Sequence, residues 1–188
     1  MLGHLWFIFQ ELKHPYLQEP PRTERWGRFK IEVLINDDSV CLLDTQWNLN
    51  ELIDWLTINE NAIRNISLSE HMKEQFTDSR GGLAQTILIL QEKEFINEEE
   101  EDRWFDKLFE FRKTHSLRFA LRGSKIPEII IAPRLLNSMS VGEISKASDS
   151  QSSGWSYFFD MDEFWRNLKP TLEEFKADDS QNRILKSQ

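Results

Sequence analysis

The 188-residue sequence has a single cysteine, Cys41, and no apolar run as long as a membrane span. A lone thiol cannot form an internal disulfide, which favours a reducing compartment. Crossing a bilayer takes about 20 consecutive apolar residues, so we expect no transmembrane helix. The apolar residues 5–9 lack a preceding basic segment and are followed at once by Glu11 and Lys13, which fits a secretory signal badly. These absences predict a cytoplasmic protein.

The sequence also lacks the motifs that mark common catalytic and cofactor sites. It has no HExxH pattern and no cysteine pair, and the four histidines (His4, His14, His71 and His115) are not at ligand spacings. The glycine motifs that bind phosphate are absent, and so is the GxSxG turn that presents a nucleophilic serine. We therefore predict no catalytic residues, no metal, no cofactor and no enzymatic activity.

One loose pattern leaves an enzymatic alternative open. Asp78 lies upstream of the apolar run Ile87–Leu90, and Glu92 and Lys93 follow that run. Nucleases of the restriction type place a carboxylate and an acid-x-Lys pair on adjacent strands, where they hold Mg²⁺ and activate water. The alternative function is thus a defence-associated enzyme or enzyme subunit with a degenerate nuclease-like metal site. It requires residues 87–90 to form a strand, whereas the polar continuation favours a helix.

The chain has a clear excess of acidic over basic residues. It carries 32 acidic and 23 basic residues, for a net charge of −9. An acidic surface repels phosphate, so nucleic acid and anionic membranes are poor partners. The same surface attracts basic proteins and speeds their encounter with the chain.

Five consecutive acids lie at the N-terminus of a predicted helix over Glu99–Thr114. They are Glu98, Glu99, Glu100, Glu101 and Asp102. In one interpretation they only complement the helix dipole, which is worth about 0.3–1 kcal/mol per charge. In the other they form a binding site for a basic protein, because five adjacent acids repel one another without a partner.

Trp104 is the candidate anchor of this site, because tryptophan is enriched among interface hot spots. That role requires it to be partly exposed. Its spacing from Phe105, Leu108 and Phe109 instead predicts one buried stripe of the helix. At the other end of this helix, His115 is expected to act as a cation that the dipole favours.

Apolar residues recur at every second position in some segments and with a period of 3.6 in others. This combination along one chain predicts an α+β fold. Residues 29–44 predict an antiparallel β-hairpin, with a turn at 36–39. Residues 117–122 alternate in the same way, and together with the apolar run at 128–132 they predict a second hairpin over 117–132. Segments with a period of 3.6, one of them beginning after Asn48, predict helices packed on the sheet that the hairpins form. At this length we expect one domain over residues 1–188.

Three segments are expected to lie outside the core. Residues 14–25 form a connector with three of the six prolines, residues 145–153 a flexible serine-rich loop, and residues 178–188 a tail. Between them, Trp155–Phe159 predicts a strand, and Pro170 is expected to begin the last helix.

Two segments resemble a pattern found in uncharacterised bacterial proteins. The segments are Trp26-Gly27 at the head of a strand, and His115-Ser116-Leu117-Arg118 followed by Gly123 and Ile126-Pro127-Glu128. In size and acidity the whole chain resembles the immunity proteins of bacterial polymorphic toxin systems, including those of contact-dependent growth inhibition. The resemblance implies a cytoplasmic antitoxin-like protein that neutralises a basic toxin domain by direct binding. It assigns a role to no individual residue.

Overall fold

The computed structural model describes residues 2–18, 24–75, 80–134 and 140–184. The described chain has an α+β architecture with two three-stranded sheets, so the predicted class is confirmed. It divides into two compact units. The central unit comprises the described residues of 59–159, and the terminal unit comprises those of 2–58 and 160–184. A single domain over the whole chain stays a prediction.

The two units contain six strands and six helices within the described residues. They are, in order, β1 (His4–Glu11), β2 (Trp26–Ile35), β3 (Asp38–Asn48), α1 (Leu49–Asn65), α2 (Glu70–Lys73), α3 (Gly82–Gln91), α4 (Glu98–His115), α5 (Leu117–Ala120), β4 (Ile129–Pro133), β5 (Val141–Lys146), β6 (Trp155–Asp160) and α6 (Met161–Ile184). None of the described helices combines the length and apolar character that a membrane crossing requires.

The terminal unit contains the sheet β1-β2-β3, in which both strand pairs are antiparallel. The hairpin predicted at residues 29–44 is confirmed. Its turn places Asn36 and Asp37 at φ values of 50° and 69°, the left-handed region that these two residue types tolerate best after glycine. Alternate strand residues are buried with the apolar residues of two helices. The buried set includes Leu5, Phe7, Phe29, Ile31, Val33, Leu49, Leu52, Leu56, Phe164 and Trp165.

Helix α6 packs on β1, where the rings of Phe7 and Phe164 meet edge to face with centroids 5.0 Å apart. The expectation that Pro170 begins a helix is wrong, because α6 runs through Pro170 without a break. Proline removes one hydrogen-bond donor from a helix. Pro170 is exposed, so its ring does not disturb the packing of the core.

The central unit contains the sheet β4-β5-β6, with α3 against β5 and with α4 and α5 against β4. One cluster of buried side chains joins these elements. Its members are Leu68, Met72, Leu83, Ala84, Ile87, Leu90, Trp104, Leu108, Phe111, Ile130, Ala132 and Ala147. This core fixes the orientation of α4, the helix that carries the acidic run.

The second predicted hairpin, at residues 117–132, is wrong. Residues 117–120 form the short helix α5, which Ser116 caps by accepting a hydrogen bond from the Arg118 amide at 3.2 Å. Strand β4 pairs instead with β5, which follows it in the sequence. The alternation of Leu117 and Leu121 reflects burial at i and i+4 on one helical turn rather than one face of a strand.

The structure describes parts of the three segments that were predicted to lie outside the core. Residues 12–18 and 24–25 belong to no strand or helix, and residues 19–23 lie outside the described residues. The loop predicted at 145–153 begins too early, because Ser145 and Lys146 are buried in β5. The tail predicted from residue 178 is helical as far as Ile184, and residues 185–188 lie outside the described residues.

Candidate protein-binding surface

Helix α4 begins where the acidic run begins. Asn97 is its N-cap, and the side-chain oxygen of Asn97 accepts a hydrogen bond from the Glu99 amide at 2.9 Å. Residues 98–101 form the first turn, where the free amides and the helix dipole favour negative charge. The run is solvent-accessible, and Glu99 forms an ion pair with Arg103 at 3.5 Å. The dipole interpretation therefore accounts for the position of the run, and the acids remain available to a partner.

The buried stripe of α4 is shifted from the one predicted. It consists of Trp104, Leu108, Phe111 and His115, at the i, i+4, i+7 and i+11 spacing of one helix face. Trp104 is only 5% exposed, and its indole Nε1 donates to the Leu90 carbonyl at 3.2 Å. The condition for Trp104 to act as a surface anchor is therefore not met. This hydrogen bond of Trp104 links α4 to α3.

A second stripe runs along the flank of α4, beside the buried one. Glu98, Asp102, Phe105, Phe109 and Arg112 follow one another at the same helical spacing. We call these five residues the flank stripe. It has two acids at one end, two phenylalanines in the middle and an arginine at the other end.

The apolar middle of the flank stripe is partly open to solvent, since Phe105 is half-buried and Phe109 is exposed. Phe109 is 51% exposed, although its sequence position suggested burial. Its ring meets that of Phe119 edge to face at 5.5 Å, so its position is fixed by a neighbour. Ile96, just before the cap of α4, is fully exposed. Large exposed side chains in a fixed position are what protein interfaces use as contacts.

The basic end of the flank stripe is rigid. Arg112 donates two hydrogen bonds to Glu128, from Nε at 3.0 Å and from Nη2 at 3.1 Å, and Glu128 is itself buried. Arg118 and Arg122, which the predicted hairpin at 117–132 would place on a strand, lie instead on α5 and in the turn after it, where both are exposed. The guanidinium of Arg122 lies 5.6 Å from the centre of the Phe119 ring.

The structure does not form the strand that the nuclease-like alternative requires. Residues 87–90 lie in helix α3, so Glu92 and Lys93 follow a helix. The Nζ of Lys93 lies over the Trp104 ring, 4.1 Å from its centre, which gives this lysine a structural role. Asp78 lies outside the described residues. Within the residues that are described, no group of three or more His, Cys, Asp or Glu side chains could hold a metal ion.

His115 ends α4 in the core rather than as an exposed cation. Its Nε2 lies 2.7 Å from the Ile66 carbonyl, and its Nδ1 lies 2.7 Å from the Thr114 hydroxyl. Burial lowers the pKa of His115 below its usual value, although contacts with the carbonyls of Phe111 and Ile66 act in the opposite direction. Burial therefore disfavours the cationic form of His115 that the sequence led us to expect.

Comparisons with known proteins give no relatives: no protein-family model, no curated protein and no solved structure matches the chain.

Sequence reasoning located the acidic run but not the exposed Phe109. Four apolar residues, Trp104, Phe105, Leu108 and Phe109, were assigned to a single stripe, whereas the structure divides them between two. The signal was present in Phe111 and His115, which extend the series of Trp104 and Leu108 and leave Phe105 and Phe109 aside. Because phenylalanine is usually buried, Phe105 and Phe109 were assigned to the buried face, although their positions around the helix place them beside it.

Proposed function

We propose that this chain is a protein-binding protein that engages a basic partner through the flank stripe and the acidic run of α4. The observation that carries the proposal is the exposed and fixed Phe109 beside a solvent-accessible run of five acids. The acids steer a basic protein towards the helix. Phe109 and Phe105 supply the apolar contact that holds it.

The class of partner that we propose is a toxin domain, which the chain neutralises by occupying its surface. Support comes from the acidity of the chain and from its resemblance to immunity proteins in size and charge. We place this activity in the cytoplasm, where immunity proteins act. A toxin gene directly before the gene of this chain would identify the partner. Growth of cells that express the toxin domain with and without the chain would measure neutralisation.

Neutralising the acidic run is expected to slow association with the partner without unfolding the protein. The variant carries Glu98→Gln, Glu99→Gln, Glu100→Gln, Glu101→Gln and Asp102→Asn. The partner is first captured from the native host on the unaltered chain, and association is then followed by biolayer interferometry at several salt concentrations. Because steering by charge raises association rates by about 10- to 1000-fold, we expect a loss of about tenfold or more at low salt. The loss should shrink as salt screens the charges.

A matched control separates local contact from net charge. Asp37, Asp38, Asp54, Glu173 and Glu174 are exposed acids outside α4, and changing these five to Asn or Gln removes the same amount of charge elsewhere. That control should keep most of the association rate. An acidic-run variant that associates as fast as the unaltered chain at low salt would show that the run only stabilises the helix start. The interface would then lie on another face.

A further inference from the structure

The two ends of helix α4 carry opposite charges. Its first turn consists of four glutamates, and the exposed Asp102 follows them, whereas its last turn contains Arg112 and Lys113. The helix has 18 residues, so the two charged groups lie at opposite ends of a rod about 27 Å long. A rod with this charge pattern complements a second copy of itself when the two copies lie side by side in opposite directions.

One line of exposed side chains joins the two ends of α4. Asp102, Phe109 and Lys113 lie at the i, i+7 and i+11 positions of one helix face, and all three are exposed. The ring of Phe109 is fixed against that of Phe119, with the centroids 5.5 Å apart. Lys113 forms an ion pair with Glu110 at 3.6 Å, but its side chain remains 53% exposed. This face therefore offers an acid, an apolar ring and a base to one neighbour.

Antiparallel packing of two such helices about a two-fold axis brings unlike groups together. With the axis near the middle of α4, Asp102 of each copy lies beside Lys113 of the other copy. Phe109 of each copy lies opposite Phe105 of the other, because these two positions are equally far from the middle of the helix. A two-fold axis repeats every contact, so the ionic and the aromatic contacts both occur twice.

Two further side chains fit this arrangement. Ile96 is fully exposed just before the N-cap of α4, and antiparallel packing places it beside the C-terminal end of the other helix, where Phe119 packs against Phe109. Asp106 is the exposed acid nearest to the axis. At about 100° per residue, Asp106 lies about 60° from Phe109 on the side away from the buried stripe. Water there screens its charge from that of the other copy.

We propose that the chain forms a weak symmetric dimer through antiparallel packing of α4 on α4 of a second copy. The second copy covers the flank stripe, so a basic partner binds there only after the second copy has left. As a regulation of partner binding this inference rests on the proposed function, whereas the self-association itself does not. A stable interface buries about 800 Å² per partner, and a single pair of helices buries less, so we expect a dissociation constant of about 10–100 µM.

Sedimentation equilibrium of the full chain between about 1 and 500 µM tests the proposal, since this range brackets the expected dissociation constant. Asp102→Lys and Lys113→Asp should each weaken the dimer by about tenfold or more, because attraction becomes repulsion at both copies of the contact. An equimolar mixture of the two variants should recover a heterodimer of the unaltered affinity. In that mixture the copy with bases at both positions faces the copy with acids at both. A fluorescent label on the exposed Cys41, in the terminal unit, follows one variant in the mixture.

Lys107→Asp is the matched control, because it makes the same charge change on an exposed lysine of the same helix. Lys107 lies two residues from Phe109, a spacing at which helical side chains do not face each other, so this variant should dimerise as the unaltered chain does. A chain that is monomeric at the highest concentration would overturn the proposal. So would a dimer that neither charge reversal weakens, or variants that do not associate when mixed. None of these results bears on the proposed function, which the acidic-run variant tests with the captured partner.

Discussion

Replacing Glu143 with alanine is expected to lower the free energy of unfolding by about 3–5 kcal/mol, the usual result of leaving half of a buried ion pair. Glu143 is completely buried on β5. One carboxylate oxygen accepts from the Leu83 amide at 2.7 Å, and the other accepts from Arg134 at 3.3 Å. The variant would leave the Leu83 amide, at the first turn of α3, without its acceptor and would remove one carboxylate partner of Arg134. The amide would lie where water reaches it poorly.

Two further variants separate the causes of this loss. Glu143→Gln keeps an oxygen for the Leu83 amide but removes the negative charge that Arg134 requires, so its effect should be smaller, about 1–3 kcal/mol. Glu110→Ala removes an exposed carboxylate of the same unit and should change stability by less than about 0.5 kcal/mol. Urea denaturation followed by tryptophan fluorescence measures all three. A Glu143→Ala variant as stable as Glu110→Ala would show that the carboxylate contributes nothing to the fold.

Glu143 also illustrates what the sequence alone does not reveal. A capping residue is normally sought next to its helix, but here the Leu83 amide lies 60 residues before the carboxylate that accepts its hydrogen bond. Ser145 repeats the arrangement, since its hydroxyl accepts from the Ala84 amide at 3.0 Å. Such contacts depend on the pairing of β5 within its sheet. Local sequence patterns carry no information on that pairing.

The features that local patterns decide were predicted well. The hairpin at residues 29–44 follows from alternation around a turn whose residues tolerate positive φ. Helix α4 begins within one residue of its predicted start, because Asn97 and the acids are signals of a helix N-terminus. The segment at 117–132 failed because a six-residue stretch with apolar residues at every second position is also compatible with a helical turn. The choice is made by packing against β4.

The candidate binding surface also combines features that local sequence decides with features that packing decides. The acidic run could be located from composition alone, because consecutive charges are almost always exposed. The exposure of Phe109 could not, since it depends on which face of α4 the sheet covers. Trp104 was placed correctly in the helix, but its burial depends on the contact with α3.

His115 is expected to make the stability of the protein fall as the pH drops below about 6.5, the ordinary pKa of histidine. In the folded state burial lowers its pKa, so the neutral ring persists there to a lower pH than in the unfolded chain. Between these two pKa values only the unfolded chain takes up the proton. The free energy of unfolding therefore decreases with falling pH, by at most about 1.4 kcal/mol per pH unit from this group. Above the ordinary pKa, His115 is neutral in both states and adds no pH dependence.

The variant His115→Gln isolates this effect, because glutamine can still donate to the Ile66 carbonyl but does not titrate. Its stability at neutral pH should be lower by about 1–3 kcal/mol, since the stacking on Phe111 and one hydrogen bond are lost. Its unfolding free energy, measured by urea denaturation between about pH 7.5 and 5.5, should depend less steeply on pH than that of the unaltered chain. His4→Gln, which changes an exposed histidine, should keep the steep dependence. Parallel pH profiles for the unaltered chain and His115→Gln would show that His115 takes up its proton in the folded state, as a cation held by the carbonyls of Phe111 and Ile66.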